Sequence, residues 1–405
     1  MADDGAIQFD VPENVPRHLV REWDFGQAPG GDRDPFKAIS VLHDGPDIFW
    51  SPNVCYGGPA WVVTRDELTR EVFQETALFT TRKISGFSAL MGETFDMIPL
   101  EKDPPDHAQY RLMMNPLFAP ARINAIDALV RGTAEKLVET AVAKGECEFM
   151  QAFGKPFPAS IFLGLMGLPL DLTDRFLAWE DGILHGKTME ERSLAAHSIR
   201  DYLRGMIDER RRAPTDDLIS YAMTTEIGGR RVTDDETMGI CVLLFIGGLD
   251  TVTATLGFAF RHLAMNPDNQ QLLRERPDLR KNAIEEFLRA HAPVNTHRFV
   301  TRDVEFHGVT LRQGDTIVVS PGLSGRDDRE FPEPHKIDFE RKNLRHLAFG
   351  SGPHRCIGSH LARREVAIAL DLWLDRAPPF RVKPGEEVVT QPAQPFGVEY
   401  LPLVW

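Results

Sequence analysis

The strongest hydrophobic pattern of the chain is a long apolar segment that begins after the capping-box pair Thr233 and Glu236 and ends at Pro267. Apolar residues occupy all sides of the helix predicted here, which is typical of a membrane span or of the axis of a large core. Asp250 and Thr251 stand near the middle of the candidate span. Because polar groups at that depth are costly in a bilayer, the pattern favours a core helix.

Helical periodicity dominates from Asp106 to Met265 and continues over residues 267–292. Short strand-like segments predict one hairpin within residues 47–64 and a small sheet region within residues 294–319, with a second hairpin at residues 303–309. The first forty residues are rich in Pro, Gly and Asp and predict an extended arm on the surface. With no repeat or linker to divide it, the sequence predicts a mainly α fold, one domain over residues 1–405 with a minor β region.

Composition and charge exclude several classes of function. The net charge of −14 argues against a nucleic-acid partner. The four cysteines, at positions 55, 147, 241 and 356, have no close spacing, which disfavours a disulfide framework or a zinc ribbon and suits a reducing compartment. The N-terminus lacks the features of a signal peptide. We therefore expect a cytoplasmic monomer that binds no membrane.

Two glycines interrupt the apolar segment just before its acid and alcohol. Gly247 and Gly248 each cost on the order of 1 kcal/mol in a helix relative to alanine. Thr251 follows Gly247 by four residues, so its hydroxyl is in range of the Gly247 carbonyl and would open the helical ladder. This predicts a groove beside Asp250 and Thr251, suited to a small ligand and to proton delivery. Close helix packing at the glycines, with Asp250 on the surface, is the alternative.

A single cysteine, Cys356, lies in the glycine-rich stretch Phe349–Gly358, directly before a predicted helix over Leu361–Trp373. Backbone N–H groups and the positive end of a helix dipole both favour a thiolate over a thiol. A thiolate held in this way acts either as a nucleophile or as a metal ligand. The loop alone leaves both roles open.

Two further motifs pair charged groups at helical spacing. Glu286 and Arg289 share a helix face at i and i+3, and Arg341 is a second cation that would complete a buried network. Ordinary solvated pairs have the same spacing.

The stretch from Asp103 to Arg111 predicts a helix start in which Asp103 is the cap and two prolines occupy the first turn. His107 and Arg111 then lie on one face at i and i+4, where they would clamp an anion such as a carboxylate. A solvated basic face at an ordinary helix start is the alternative.

Taken together, these motifs resemble the cytochrome P-450 family. The pattern Phe-x-x-Gly-x-His/Arg-x-Cys-x-Gly is matched at Phe349, Gly352, His354, Cys356 and Gly358. The acid–alcohol helix, the Glu-x-x-Arg pair and the Asp-Pro-Pro helix start follow in the family's order, from about residue 60 to the C-terminus. Several segments look closest to the soluble bacterial camphor-hydroxylase family. The resemblance implies heme b, held between the central helix and the cysteine loop.

The resemblance also implies a role for each matching residue. Cys356 would be the axial thiolate ligand of the iron, with Phe349 packed beside the sulfur and Gly358 letting the backbone close around it. Asp250 and Thr251 would relay protons during oxygen activation. The heme propionates would be held by His107, Arg111, Arg298 and His354. The structural network near the heme loop would be Glu286, Arg289 and Arg341.

The expected substrate follows from a departure from the camphor-hydroxylase pattern. Phe95 occupies the position at which that family carries a tyrosine that bonds the camphor ketone, and a phenylalanine has no donor. The other predicted pocket residues are Ile246, Gly247, Val294 and Phe396. We therefore expect hydroxylation of a small lipophilic terpenoid or norisoprenoid, not camphor.

The resemblance implies O₂ as co-substrate and, because no flavin or ferredoxin module is apparent, electrons from a separate 2Fe–2S ferredoxin with its reductase. The segment from Arg345 to Arg364 contains four arginines and no acidic residue, which favours an acidic partner. Propionate binding and helix capping would explain the same arginines. Two other classes compete: a heme sensor or carrier, and a cysteine hydrolase with Cys356 as nucleophile and His354 or His360 as base.

Overall fold

The computed structural model describes residues 10–54, 58–392 and 394–405, and most of its regular structure is helical. The helices are α1 Pro35–Ser40, α2 Asp66–Gln74, α3 Phe87–Leu90, α4 Asp106–Met114, α5 Pro120–Ala125, α6 Asp127–Val142, α7 Pro156–Leu165, α8 Thr173–His185, α9 Met189–Arg212, α10 Leu218–Thr224, α11 Asp234–Gly248, α12 Asp250–Met265, α13 Pro267–Glu275, α14 Arg280–Ala290, α15 Pro321–Ser324 and α16 Ser359–Arg376. The strands are β1 Ile48–Ser51, β2 Ala60–Val63, β3 Phe79–Thr80, β4 Glu146–Glu148, β5 Glu226–Ile227, β6 Arg230–Arg231, β7 Thr296–Val300, β8 Val304–Phe306, β9 Val309–Leu311, β10 Thr316–Val319, β11 Arg381–Val382, β12 Val389–Gln391, β13 Gly397–Tyr400 and β14 Pro402–Val404.

The apolar segment forms α11 and α12, which meet at Leu249. The predicted capping box is confirmed at its start, where the Thr233 hydroxyl accepts from the Glu236 N–H and the Glu236 carboxylate accepts from the Thr233 N–H. By length and composition this pair of helices would suffice to cross a membrane, but 61% of its most apolar window is buried inside the protein. The segment is therefore a core helix, as its polar residues predict.

Two hydrophobic clusters meet along this axis. One packs α12 against α14 and α16, and α16 against α6, through side chains such as Leu256, Phe260 and Trp373. The other packs α11 against α7, α9 and α10 through side chains such as Phe162 and Phe245. The junction between α11 and α12 consequently lies where the two halves of the helical core join.

The minor β region consists of one five-stranded sheet and several two- or three-stranded sheets. A five-stranded sheet has the order β1-β2-β10-β7-β3, in which β2 and β10 are parallel and the other neighbours antiparallel. The predicted hairpin of β1 and β2 is confirmed, with Ile48 opposite Val63. The predicted hairpin of β8 and β9 is confirmed as well.

The predicted surface arm over the first forty residues is wrong for its second half. Phe25, Phe36 and Ile39 are fully buried in the main core, and the Phe36 ring packs edge-on against Phe258 of α12. Pro35 begins α1, and the Asp34 carboxylate accepts from the Lys37 N–H at its start. The Pro and Gly content correctly indicates few regular elements, but the aromatic side chains anchor the segment in the core.

Candidate functional site

The junction of α11 and α12 opens the central helix at the predicted place. The Thr251 hydroxyl donates to the Gly247 carbonyl over 2.8 Å, which confirms the hydrogen bond expected from the spacing. A Cβ built on Gly247 would meet no heavy atom within 4 Å, although Gly247 lies in the middle of a core helix. The helix therefore borders an open space beside its alcohol, and close packing of another helix onto Gly247 is not the reason for the glycine.

Asp250 begins α12 and is not a surface residue. Its side chain is 17% exposed, and its Oδ2 is buried without a hydrogen-bond partner among the residues that the structure describes. His185 of α8 lies beside it, with Nε2 3.7 Å from Asp250 Oδ2. Burial raises the pKa of Asp250, while His185 and Lys155 oppose the rise. An acid that keeps its proton more readily than usual thus stands next to Thr251.

The cysteine loop places Cys356 directly before α16. Positive φ angles at Gly350 and Gly352 turn the loop, and a side chain at Gly352 would collide with the Phe73 carbonyl at 2.7 Å. The Cys356 N–H donates to the Phe349 carbonyl over 2.8 Å. The Phe349 ring is covered by the Arg363 guanidinium, whose carbon lies 4.4 Å from the ring centroid. The loop is held rigidly by its own backbone and by its neighbours.

The groups of the loop that favour a Cys356 thiolate are opposed by burial. Burial raises the pKa of the thiol, and the Gly358 N–H and the nearby arginines lower it by less. The side chain nevertheless retains accessible surface, so the sulfur is surrounded by protein and faces a space that a ligand can enter. A Lewis acid bound to the sulfur is needed to favour the thiolate here.

The four residues predicted to hold carboxylates come from three elements. His107 and Arg111 lie on α4, Arg298 on β7 and His354 in the cysteine loop. The His107 and His354 rings are 4.2 Å apart, and Arg298 and Arg111 both act electrostatically on His354. The structure thus brings His107 and His354 into contact, with the arginines close by. We name these four residues the basic cluster.

The basic cluster contains buried groups that form no ion pair among the described residues, although the Asp103 carboxylate acts electrostatically on three of them. Burial lowers the pKa of Arg298 to about 10, that of His107 to about 4 and that of His354 to about 3. His107 Nε2 is buried without a partner, and Arg298 forms no ion pair in the described part of the chain. A bound anion would relieve both deficits. The clamp is therefore preferred to a solvated basic face.

Asp103 does not cap α4 as predicted. Its carboxylate instead accepts from Thr80, Thr81 and Arg82, and α4 begins at Asp106 without a side-chain cap. The two prolines move the helix start beyond the reach of the Asp103 side chain. Thr81 also contacts His354 Nε2 at 3.4 Å, so Asp103 supports the basic cluster from the other side.

The predicted charge network near the cysteine loop is confirmed. Glu286 accepts two hydrogen bonds from Arg289, at 2.7 and 2.8 Å, and two from Arg341 Nε, both at 3.1 Å. Glu286 and Arg289 have no exposed surface. The remaining guanidinium N–H groups donate to backbone carbonyls between residues 325 and 336. This network fixes the segment that leads into the cysteine loop.

Phe95 belongs to a loop that is packed against the central helix. A Cβ on Gly239 of α11 would overlap the Asp96 carbonyl, so the loop and the helix are in direct backbone contact. Phe95 is buried in the same cluster as Ile246, which follows Gly239 by two helical turns and so lies on the same face. The segment from Phe95 to Ile98 is therefore packed directly against α11.

The other predicted pocket residues separate into two groups. Val294 and Ile246 are half-buried and retain accessible surface. Phe396 is fully buried, and its ring packs edge-on against Phe36, with centroids 5.4 Å apart. The prediction that Phe396 lines the pocket is not supported, since its side chain fills the main core. Its backbone N–H donates to Pro293 and so positions the segment before Val294.

Several functional neighbours escape prediction from sequence. Glu101 fixes the Phe95 loop by accepting from the N–H groups of Ser85 and Met97, both over 2.8 Å. Glu180 and His185, on α8, reach Asp250 from about 70 residues away in sequence. A buried-face carboxylate on α8 is the only local signal for Glu180, and an ordinary amphipathic helix gives the same signal.

A cysteine hydrolase is not supported by the surroundings of Cys356. In the described ranges, no hydrogen bond joins the Cys356 sulfur to His354 or His360. His360 is exposed, and the His354 ring is engaged by His107. Without a base in contact with the thiol, nucleophilic activation has no structural basis.

Comparisons with known proteins agree on one family. The family model for cytochrome P-450 matches residues 181–402. The chain is 39% identical to the probable cytochrome P-450 127A1 of Sinorhizobium fredii over 98% of its length and 97% of that protein. It is 30% identical to pentalenic acid synthase of Streptomyces avermitilis over 92% of its length and 94% of that protein. The crystal structure of cytochrome P-450 CYP101C1 superposes with a TM-score of 0.88 at 33% identity, covering 98% of this chain and all of that one.

Proposed function

Because the chain belongs to the cytochrome P-450 family, we propose that it hydroxylates a small lipophilic terpenoid or norisoprenoid with O₂ and two electrons from a 2Fe–2S ferredoxin and its reductase. The family and its fold make the protein a monooxygenase with heme b as cofactor. The proposal adds the substrate class and the electron donor. We place this activity in a cytoplasmic monomer.

The observation that carries the proposal is the opened junction of the central helix. A heme sensor or carrier needs a thiolate ligand, but it has no use for an acid and an alcohol beside an open space. Thr251 and Asp250 stand at that junction, with the Thr251 hydroxyl held on Gly247. An ordered hydroxyl next to an acid with a raised pKa is suited to proton transfer.

The described residues fit heme b both at its propionates and at its iron. The basic cluster offers buried, unpaired cations and donors to two propionates, and His107 Nε2 is a buried donor position that needs a partner. Cys356 offers a sulfur with accessible surface and a backbone already fixed by the Phe349 carbonyl. When bound, heme supplies oxygen activation and the oxidising power for hydroxylation, which thiolate ligation promotes.

The chain's own residues would position the reactants and the protons. Phe95 and Ile246 present apolar surface beside the junction, where a lipophilic substrate is held in place and water is displaced. The Thr251 hydroxyl would donate a proton at the open side of the helix, and Asp250 would replace that proton. Glu286, Arg289 and Arg341 keep the cysteine loop in place from behind.

The thiolate assignment is tested by the absorption spectrum of the reduced protein with carbon monoxide. Wild-type protein is expected to show the red-shifted Soret band of a thiolate-ligated ferrous carbonyl. Cys356→His should lose this band while retaining bound heme, because imidazole donates less charge than thiolate. Cys147→Ser is the control, since Cys147 lies outside the cysteine loop. Wild-type protein with an imidazole-type carbonyl spectrum would contradict the assignment.

The substrate proposal predicts a gain of camphor binding in Phe95→Tyr. A tyrosine hydroxyl at this buried position would donate to the camphor ketone, and a net gain of about 1 kcal/mol corresponds to roughly fivefold tighter binding. Binding is measured from the low-spin to high-spin shift of the heme. Camphane, which lacks the ketone, should bind both proteins alike. Unchanged camphor affinity would show that Phe95 is not the pocket position facing the ketone.

Of the four arginines around the cysteine loop, two are free to attract an acidic partner. Arg363 is paired with Glu285 and Arg364 with Asp127, so their charges are largely neutralised. Arg345 and Arg355 are exposed and form no ion pair within the described residues. We therefore assign the attraction of an acidic ferredoxin to Arg345 and Arg355.

This assignment predicts ferredoxin-driven turnover that falls as ionic strength rises. Arg345→Glu with Arg355→Glu should raise the ferredoxin concentration for half-maximal rate by about 10-fold or more at low salt, because rim charges act mainly on association. Arg231→Glu, an exposed change of the same charge on β6, should have little effect. Equal rates at low and high salt would argue against an electrostatic docking face.

A further inference from the structure

A second cavity lies beside Asp250, between α8, α12 and the segment 151–155 that precedes α7. Its volume is about 220 Å³, and it reaches the surface at the exposed Asp181. The residues that line it are Gln151, Lys155, Leu177, Glu180, Asp181, His185, Asp250 and Thr253. Most of these side chains are polar, and several are titratable. The cavity therefore connects the Asp250 carboxyl to titratable groups that sequence analysis did not assign.

Glu180 is the buried member of this group. It is 7% exposed, and its Oε1 has no hydrogen-bond partner in the described part of the chain, as is the case for Asp250 Oδ2. The Asp250 backbone N–H donates to the Glu180 carboxyl. The two carboxyl groups thus meet where the central helix is interrupted, each with a buried oxygen that is free to give or accept a proton.

The two acids do not ionise together. Burial raises the pKa of Glu180 well above its usual range, and the charge of Asp250 adds to the rise. Burial also raises the pKa of Asp250. Lys155 lies near both carboxyls and Asp181 repels both. Two adjoining buried carboxyls with one lysine nearby favour the state in which the pair keeps one proton.

His185 orients the Asp250 side of the pair. Its Nδ1 lies 2.9 Å from Gln391 Nε2, and an amide N–H₂ is a donor, so the imidazole proton lies on Nε2. Nε2 faces Asp250 Oδ2 at 3.7 Å. The Nε2–H group therefore lies on the Oδ2 side of the Asp250 carboxyl, and Glu180, whose carboxyl accepts from the Asp250 N–H, is the buried acid beside it.

We propose that Glu180 is the proton donor that re-protonates Asp250, and that His185 positions Asp250 to receive the proton. In this step the Glu180 carboxylic acid gives its proton to the Asp250 carboxylate. Glu180 then takes a proton from a solvent acid that enters at Asp181, so neither residue changes over a cycle. The proposal rests on the monooxygenase function, because oxygen activation is what consumes the protons.

Glu180→Gln separates this role from a structural one. The glutamine carbonyl still accepts from the Asp250 N–H, so the helix junction keeps its hydrogen bond, but the side chain no longer carries a proton. Asp174→Asn removes an exposed carboxylate from the same helix and is the matched control. Glu180→Asp restores an acid and should rescue part of the effect.

The first measurement is the infrared carboxylic-acid band of the ferric holoenzyme with ¹³C-labelled glutamate. Wild type should show a protonated glutamate near neutral pH, in addition to the band of buried Glu365, which Glu365→Gln identifies. The Glu180 band should shift on transfer to D₂O sooner than the Glu365 band, because only Glu180 borders the cavity. It should be lost in Glu180→Gln and kept in Asp174→Asn.

The second measurement is O₂ uptake by the holoenzyme under photochemical reduction, with O₂ as the probe. Glu180→Gln is expected to slow uptake by about 100-fold and to enlarge the ratio of the rates in H₂O and D₂O, as loss of a positioned proton donor does. If this variant does not fold, the labelled wild-type spectrum decides alone, and no protonated glutamate beyond Glu365 would overturn the proposal. Unchanged uptake in a folded variant would overturn it as well. Either result would leave the proposed function standing if the thiolate carbonyl band is present.

Discussion

Thr251→Ala is expected to uncouple the enzyme, so that O₂ and reductant are still consumed but most of the oxygen leaves as hydrogen peroxide. The Thr251 hydroxyl is the group that the junction of α11 and α12 holds at the open side of the helix, 2.8 Å from the Gly247 carbonyl. Without it, protons from Asp250 have no ordered donor at that point. Hydroxylated product per electron consumed should fall by about 10-fold or more, since a positioned proton-transfer group contributes roughly 100-fold or more.

The chain offers a closely matched control for this prediction. Thr255, one turn further along α12, donates to the Thr251 carbonyl over the same distance of 2.8 Å, but it is buried in the core. Thr255→Ala removes an equivalent back-bonded hydroxyl and should leave coupling unchanged. Thr251→Ser, which keeps a hydroxyl, should retain most of the product. A Thr251→Ala protein with unaltered coupling would show that the Thr251 hydroxyl does not deliver the protons.

Features that depend on short-range spacing could be predicted from the sequence. The Thr251–Gly247 bond, the capping box of α11 and the Glu286–Arg289 pair each join residues three or four apart on one helix. Helical geometry brings such residues together whatever the rest of the chain does. Arg341 is the one distant member of the charge network that could be predicted. It was a candidate because a second cation would complete a buried network around the Glu286–Arg289 pair.

Features that depend on packing between distant segments could not be predicted in this way. Glu180 reaches Asp250 only because α8 crosses the start of α12, and nothing in either segment specifies that crossing. Phe25 and Phe36 lie in a Pro- and Gly-rich stretch, yet they are buried because the core has room for their rings. Asp103 has the spacing of a helix cap, but it bonds Thr80 and Thr81 because β3 runs beside it.

The cysteine loop shows the same limit in its electrostatics. The helix dipole and backbone N–H groups that favour a thiolate are local and were read correctly from the sequence. Desolvation depends on how much protein surrounds the sulfur, and it outweighs them at Cys356. The resemblance to a family makes the residue a candidate iron ligand, where loop chemistry alone leaves two roles open.

The largest effect on stability is expected from Glu286→Gln. Glu286 is the only carboxylate among the described residues that pairs with the buried Arg289 and Arg341. Its loss leaves two guanidinium groups in the core with a neutral amide between them, and breaking a buried pair in this way costs about 3–5 kcal/mol. Urea unfolding of the heme-loaded protein measures this loss. Because the arginines fasten the carbonyls of residues 325–336, the variant should also retain less heme.

Glu285→Gln tests whether burial is the cause of that cost. Glu285 is the neighbouring residue and pairs with Arg363, but both side chains are about one quarter exposed. Solvent screens the pair with Arg363, and a glutamine carbonyl still accepts from His346 Nε2, the other partner of Glu285, so the change should cost no more than about 1 kcal/mol. If both variants lost the same stability, the effect would come from charge at this end of α14 and not from the enclosed network. A clear difference would identify the Glu286 carboxylate as the group on which the position of the cysteine loop depends.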